Sequence, residues 1–285
     1  MIRYSVDDTR EQRHIGIAPF HRYLLDDDTV WTEFYRLPSG YLLRVPGLAD
    51  FEVSADGRTV VAHPTGETDP ATVEHLYLNQ LYPLALSRQG RPAFHASVVA
   101  VPGGCLAFLG RSGLGKSTLA AAFALAEDAF LTDDALIVDD SAGAVLALPG
   151  HASLRLWEDS VEALVRPGTA LASHIGYSDK ARLLAGEALP HCPAARPLRA
   201  AYVLQDEGSE EVSIRPLSGA ERQLAWVRNS FLLDITDRDL LARHFDWTHR
   251  IAGKVPTFAL DYARDYGILP QVRRALLQHA GELGD

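Results

Sequence analysis

The sequence predicts an α/β protein in two parts: a small β-rich N-terminal domain over residues 1–88 and a larger domain over 89–285 in which strands alternate with helices. Three observations carry that prediction. The first part holds short β-branched and aromatic runs bounded by Pro and Gly. The second alternates apolar runs of strand length with runs at helical spacing. A glycine-rich turn at 110–117 then joins an apolar strand to a helix. At roughly 150 residues per domain, 285 residues also suit two domains.

In chain order, Thr29–Tyr35 and Tyr41–Val45 read as strands. Phe51–Ser54 and Thr59–Ala62 flank Asp56-Gly57, a pair suited to a two-residue hairpin turn. Asp69-Pro70 supplies a cap and a proline at the first helical position. The helical spacing of Val73, Leu76, Tyr77, Leu81 and Leu84 carries the helix to Leu86, with a bend expected at Pro83. The polar turn Ser87–Pro92 marks the domain boundary. Beyond it, Ala96–Val101 and Cys105–Leu109 read as strands reversing at Pro102-Gly103-Gly104. They are followed by a helix over Lys116–Ala126 and a strand over Ala129–Thr132. Later elements are a helix at Glu158–Val165 and strands at Ala201–Leu204 and Val212–Arg215. Helices at Gly219–Val227, Asp237–Phe245 and Pro270–Ala280 complete the map.

Composition removes several classes of function. With 47% hydrophobic and 22% charged residues the chain is ordinary globular material. Its apolar runs are too short for a membrane helix, and its start lacks the apolar core of a secretory signal. A cytosolic protein is therefore expected, with no membrane partner. Two cysteines, Cys105 and Cys192, make neither a disulfide framework nor a metal-like spacing. A net charge of −10 disfavours nucleic acid as a partner. Lysine occurs only at Lys116, Lys180 and Lys254.

The chemistry concentrates in Gly110-Arg111-Ser112-Gly113-Leu114-Gly115-Lys116-Ser117, which fits G-x-x-x-x-G-K-[ST] at every required position. At this composition about 0.002 chance matches are expected in the whole chain. Such a loop lets backbone N–H groups converge on phosphate oxygens at the positive end of a helix dipole. Lys116 would reach the β- and γ-phosphates, and the Ser117 hydroxyl would join a Mg²⁺ shell, so ATP or GTP with Mg²⁺ is the ligand expected. Thr118 closes the candidate nucleotide-binding stretch.

Asp133-Asp134 ends the next strand, which is expected parallel to and close beside the strand feeding the loop, with its carboxyl end towards the phosphates. One carboxylate there could help hold Mg²⁺ while the other accepts a proton from an attacking hydroxyl; the plain alternative is an Asp-rich turn in solvent. His95 is placed by hairpin symmetry. A reversal at Gly103 pairs it with residue 111, close enough to donate to a phosphate or to tune the neighbouring acid; a lone histidine is otherwise a satisfied structural residue.

The layout of His95, the loop and Asp133-Asp134 resembles the HPr kinase/phosphorylase catalytic domain over roughly 94–138. More loosely, most of the chain is similar to the HPr-kinase-like proteins of lasso-peptide gene clusters, which share segments like Leu154–Ser160 and Pro197–Leu204. The resemblance implies an HPr-kinase-like P-loop fold and ATP-dependent phosphorylation of a serine hydroxyl. In the lasso group the acceptor is the C-terminal serine of a precursor peptide. It further implies Asp133 as general base, Asp134 as the second acid, sharing the metal with Ser117, and His95 as an active-site histidine. Thr118 stands where HPr kinases usually have Glu, and their later phosphorylase-associated signature is missing, so neither reverse dephosphorylation nor a hexamer is implied.

Arg155 and Lys180 are candidate contacts to the acceptor or to the transferred phosphate, since phosphoryl transfer needs cations on its equatorial oxygens. Lys180 lies in the polar, loop-like stretch Tyr177–Arg182. A solvated charge run explains them equally well. Trp157 is expected in packing rather than as a stacking platform, and Arg273 and Arg274 on a solvated helix face. Two other acceptors remain open, a folded carrier protein and a small-molecule hydroxyl. So does a function of another class, a non-catalytic nucleotide-binding regulator.

Overall fold

The computed structural model describes residues 2–25, 27–141, 143–165, 169–172 and 179–283. Tyr177 and Ser178 of the polar stretch around Lys180 lie outside them. The described chain forms two compact units. One comprises residues 2–91 with Phe231–His244; the other comprises 92–172, 179–230 and 245–283.

The first unit is a six-stranded sheet built from β1 (Arg3–Val6), β2 (His21–Leu24), β3 (Val30–Leu37), β4 (Gly40–Val45), β5 (Ala49–Ser54) and β6 (Thr59–Pro64). The strand order is β1-β6-β5-β4-β3-β2, antiparallel except where β1 runs parallel to β6. The turn between β5 and β6 is longer than a two-residue hairpin. Gly57 N–H donates to Ser54 O at 2.8 Å, and the Ser54 hydroxyl accepts from Arg58 and Thr59 N–H, so the serine spans the reversal. Gly57 takes φ +71°, which L side chains avoid. α1 (Pro70–Leu76) is capped by the Asp69 carboxylate, which accepts from Ala71 and Thr72 N–H. A π-helical turn at Tyr77–Leu81 precedes α2 (Tyr82–Arg88). It lies just ahead of Pro83, whose missing N–H breaks the regular helical ladder.

The second unit contains the short β7 (Ala93–Phe94), then β8 (Ala96–Val101), β9 (Gly104–Leu109), α3 (Lys116–Ala124), β10 (Phe130–Thr132), β11 (Leu136–Asp139), β12 (Leu146–Leu148), β13 (Ser153–Leu156) and α4 (Glu158–Leu164). After these come β14 (Ala181–Leu184), β15 (Arg196–Leu204), β16 (Ser213–Pro216), α5 (Gly219–Arg228), α6 (Arg238–Lys254), β17 (Thr257–Asp261) and α7 (Leu269–Glu282). The first residues of α6 belong to the other unit. The helix runs well past the expected end at Phe245, because Trp247, Ile251 and Ala252 continue the buried stripe.

The main sheet runs β10-β8-β9-β15, continues through β17 to β16, and branches from β15 through β12 and β11 to β7. β9, β15 and β17 are parallel. β10 is parallel to β9 in direction but is not its neighbour. Antiparallel β8 lies between them, because the Val101–Gly104 reversal inserts a hairpin strand. Alternate side chains of these strands feed two cores. Leu106, Phe108, Tyr202 and Leu260 pack with α3 and α7 on one face. Ala107, Leu109, Val203 and Ala259 pack with Trp226 and Ile251 on the other. A sheet covered on both faces explains the near-continuous apolar strands. Arg273, expected on a solvated face, instead donates from Nε to Asp128 at 2.6 Å and sits 5.7 Å over the Phe123 ring. Among the described residues no helix is long and apolar enough to cross a membrane.

The end of β10 is pinned by a close approach. Gly150 N–H donates to Leu131 O at 2.9 Å, and a Cβ at residue 150 would overlap the Thr132 hydroxyl and lie 2.7 Å from Thr132 Cβ. Overpacking of this kind costs about 1–3 kcal/mol. Gly150→Ala should therefore lower the unfolding free energy by that amount, read as a lower urea midpoint at unchanged slope; an unchanged midpoint would mean that β10 yields freely.

Candidate functional site

Chain direction assembles the site. β9 and β10 end at one edge of the sheet, and antiparallel β8 begins there, so Gly110, Asp133 and His95 meet at the carboxyl ends of parallel strands. Ligands bind α/β sheets at that edge. The hairpin register pairs Ala96 with Leu109 and Val101 with Gly104, which carries His95 opposite Gly110, one residue from the symmetry expectation. His95 also occupies the break between β7 and β8, where the chain leaves one branch of the sheet for another.

In the loop, Gly110, Gly113 and Gly115 have φ of +146°, +83° and +86°. Gly115 is the N-cap of α3 and brings no side-chain cap, so the first-turn N–H groups of that helix are left to a ligand or solvent. Lys116 is buried, with Nζ donating to Gly110 O at 2.7 Å and to Arg111 O at 2.9 Å. Burial pushes its pKa down, against the opposing pull of Asp134 and Asp133. Arg111 and Ser112 are exposed at the loop tip. Thr118 turns away from the loop, its hydroxyl 3.2 Å from that of Ser160 on α4.

Asp133 is buried and fully engaged. Its Oδ1 accepts from the Ser97 hydroxyl at 2.5 Å and from the Ser117 hydroxyl at 2.9 Å; Oδ2 accepts from Arg155 N–H at 3.0 Å. Desolvation raises its pKa most, repulsion from Asp134 raises it further, and the three hydrogen bonds oppose. Asp134 has φ +65°, and Ala135 N–H donates to Asp133 O at 2.8 Å across it. A non-glycine residue at the centre of so tight a turn stores strain, of order 1–3 kcal/mol, which is typical of functional sites. Ser117, expected to share a metal with Asp134, thus lies on Asp133. Asp134 is held by Arg155, whose Nε donates to its Oδ2 at 3.0 Å. Hydroxyl and carboxylate oxygens are the hard donors Mg²⁺ prefers, and Mg²⁺ commonly takes one or two carboxylates plus phosphates and water. The absence of a cluster of three or more His, Cys, Asp or Glu among the described residues is compatible with that.

His95 is partly buried. Burial is the main cause that pushes its pKa down to about 4; Asp134 pulls it up, while Lys116, Arg155 and Lys180 press it down. All these groups therefore act on one imidazole. Lys180 also sits 5.1 Å over the Trp157 ring. Trp157 is the N-cap of α4, and it is 46% exposed rather than packed away.

Three residues of the site carried no sequence signal. Ser97 comes from β8. Asn229, at the end of α5, accepts from Gly110 N–H through Oδ1 at 3.0 Å and from His95 N–H through its backbone oxygen at 2.6 Å. Arg264 donates to the carbonyls of Leu114 and Gln205 and lies 4.7 Å over the Tyr262 ring, tying the loop to the end of β15. Each arrives by tertiary register, which no local motif encodes.

No family model matches the chain, and no curated protein matches it. Among solved structures it is similar to the Hpr(Ser) kinase/phosphatase from Coxiella burnetii at 10% identity and a TM-score of 0.34, over 67% of this chain and 93% of that one. At this level of similarity the site rests on its own geometry.

A neutral imidazole among cations makes a measurable prediction. Nitrogen-detected NMR should find the His95 midpoint near 4 in the nucleotide-free protein, well below 6.5. Adding ATP should raise it, because phosphate charge favours imidazolium. The folded state resists the proton that the unfolded chain accepts, so His95 withdraws stability as pH falls from 6.5 towards 4 and no more below that. A midpoint at 6.5 in both states would contradict the geometry.

Proposed function

We propose that the protein is an ATP- and Mg²⁺-dependent kinase that phosphorylates the serine hydroxyl of a peptide. The observation that carries this reading is the buried Asp133 carboxylate, within hydrogen-bond distance of the hydroxyl that follows the loop lysine. One carboxylate beside the loop hydroxyl would serve any Mg²⁺–nucleotide site; a second acid next to it, Asp134, frees Asp133 to act as the base that a hydroxyl nucleophile needs. Raised proton affinity suits the task, since a general base works best with a pKa near the working pH.

In this reading the loop amides and Lys116 hold the triphosphate, with Nζ exchanging the carbonyls of Gly110 and Arg111 for phosphate oxygens. Asp134, with the Ser117 hydroxyl turned from Asp133, would hold Mg²⁺, which supplies charge neutralisation on the β- and γ-phosphates. Asp133 takes the proton from the serine hydroxyl as its oxygen forms a bond to the γ-phosphorus; the bond from that phosphorus to the bridging oxygen breaks, and ADP leaves. His95, neutral in the free protein, is placed to donate to the transferred group. Arg155 and Lys180 supply cations on the acceptor side.

The finer assignment, a precursor peptide ending in serine, draws on the sequence resemblance alone. A carrier protein or a small-molecule hydroxyl would use the same chemistry.

The test is to incubate the protein with ATP, Mg²⁺ and a serine-ended peptide and to look for the added phosphate mass. Asp133→Asn should lower kcat by about 10²–10⁴-fold at saturating Mg²⁺ while nucleotide binding survives. Asp134→Asn should chiefly raise the Mg²⁺ concentration needed. The acid limb of kcat/KM should lie above the ordinary aspartate value of 3.8, since activity falls as Asp133 protonates and its pKa is raised. Nucleotide binding with no transfer to any peptide or protein would leave a non-catalytic regulator as the function.

A further inference from the structure

Directly opposed residues of an antiparallel ribbon usually avoid like charges, and β13–β14 does the opposite at its centre. Its register pairs Arg155 with Arg182 and Leu154 with Leu183. Cross-strand partners share a face, with Cβ atoms about 4.5–5.5 Å apart, and like charges so placed are destabilising. The two leucines are fully buried in the core, so both guanidinium groups stand on the other face. Arg155 is compensated by Asp134. Arg182 is not compensated in that way. Its Nε donates to the Ser153 hydroxyl at 3.2 Å, and its NH2 lies 3.1 and 3.3 Å from the ring nitrogens of His151, so its hydrogen-bond partners among the described residues include no carboxylate. Lys180, one residue before β14, adds a third positive charge, close enough to act on both His95 and Lys116.

The side from which this ribbon approaches matters. Asp133 turns Oδ1 to the loop hydroxyl of Ser117 and Oδ2 to Arg155 N–H on β13. The ribbon therefore meets the carboxylate through the oxygen turned away from the phosphate loop. In-line transfer puts the acceptor opposite the leaving nucleotide, on that second side. Building on the kinase reading, the geometry points to an anion subsite centred on Arg182 that holds a carboxylate of the acceptor next to the hydroxyl being phosphorylated. Arg is the residue suited to two-point recognition of a carboxylate. The carboxylate has two possible sources, the free α-carboxylate of a chain-terminal serine or an acidic side chain beside an internal one.

Three peptides of one sequence separate these sources: serine at the end as the free acid, the same peptide as its C-terminal amide, and the amide with Asp placed just before the serine. With ATP and Mg²⁺, the free acid should show a KM at least tenfold below that of the plain amide, at similar kcat. Arg182→Leu should raise the KM of the acid to that of the amide and leave the amide unchanged; Arg182→Lys should recover part of the difference. If the Asp-containing amide matches the acid and responds to Arg182→Leu, the recognised carboxylate is a side chain; if it behaves as the plain amide, it is the chain terminus. Equal KM for all three, or an equal effect of Arg182→Leu on all three, overturns the subsite and leaves the kinase reading intact. Should no peptide gain phosphate, phosphorylation of a serine-ended peptide of this kind fails. Fluorescence anisotropy of labelled acid and amide peptides then decides the subsite alone, with equal binding overturning it.

Discussion

A buried carboxylate held by donors from three elements organises the second unit. Asp133 draws its three hydrogen-bond donors from separate elements: Ser97 on β8, Ser117 on α3 and the Arg155 backbone on β13. Burying a charge without partners is prohibitive, and hydrogen bonds to the ionised form are what make it tolerable. Any shift of those elements would leave the carboxylate short of a donor. The same three bonds fix where the loop helix, the hairpin strand and the cationic ribbon stand relative to one another. Asp134, next along the chain, adds repulsion that raises the proton affinity of Asp133, and Arg155 offsets part of it with its side chain while donating to Asp133 with its backbone.

The balance leaves the site poised rather than relaxed. Lys116 rests on two loop carbonyls, which a phosphate would have to replace in the proposed reading. Its lowered pKa and that of His95 share one cause, desolvation in a pocket that also holds Arg155 and Lys180. Positive φ at Asp134 belongs to the same economy, because the turn that separates the two carboxylates is one that L side chains resist. An incoming polyanion would relieve several of these penalties together, which is how a preorganised site gains affinity without closing far.

How legible was this in the sequence? The glycine-rich strand-to-helix loop was, since its pattern is local: glycines at fixed spacing, then Lys116 and Ser117. The acids were legible through chain direction, and β10 does run parallel to β9, although β8 separates them. Register was not. His95 lands one residue from its symmetric position because the reversal centres between Pro102 and Gly103. β17, Thr257–Asp261, escaped notice because all five residues are buried, and a strand covered on both faces shows no alternation. Ser97, Asn229, Arg264 and Arg182 are ordinary residues locally. They matter only through partners more than 25 positions away, and a single sequence carries no trace of such pairing.

The net charge of −10 and the basic ribbon look contradictory, and physics reconciles them. Net charge acts at long range, where physiological salt screens it over about 8 Å. An acidic protein of this kind does not steer an anionic nucleotide or peptide from a distance; if anything it slows the encounter. The positive charges that matter must therefore act at contact, in partial burial, where the effective dielectric is low and screening weak. Placing Lys116, Arg155 and Lys180 near two aspartates does this, and the aspartates in turn offset the mutual repulsion of those cations before any ligand arrives, while Arg182 stands beside Arg155 on the ribbon. Affinity and selectivity would then reside in the geometry of the contact, and the surplus of acid elsewhere on the surface discourages loosely held anions.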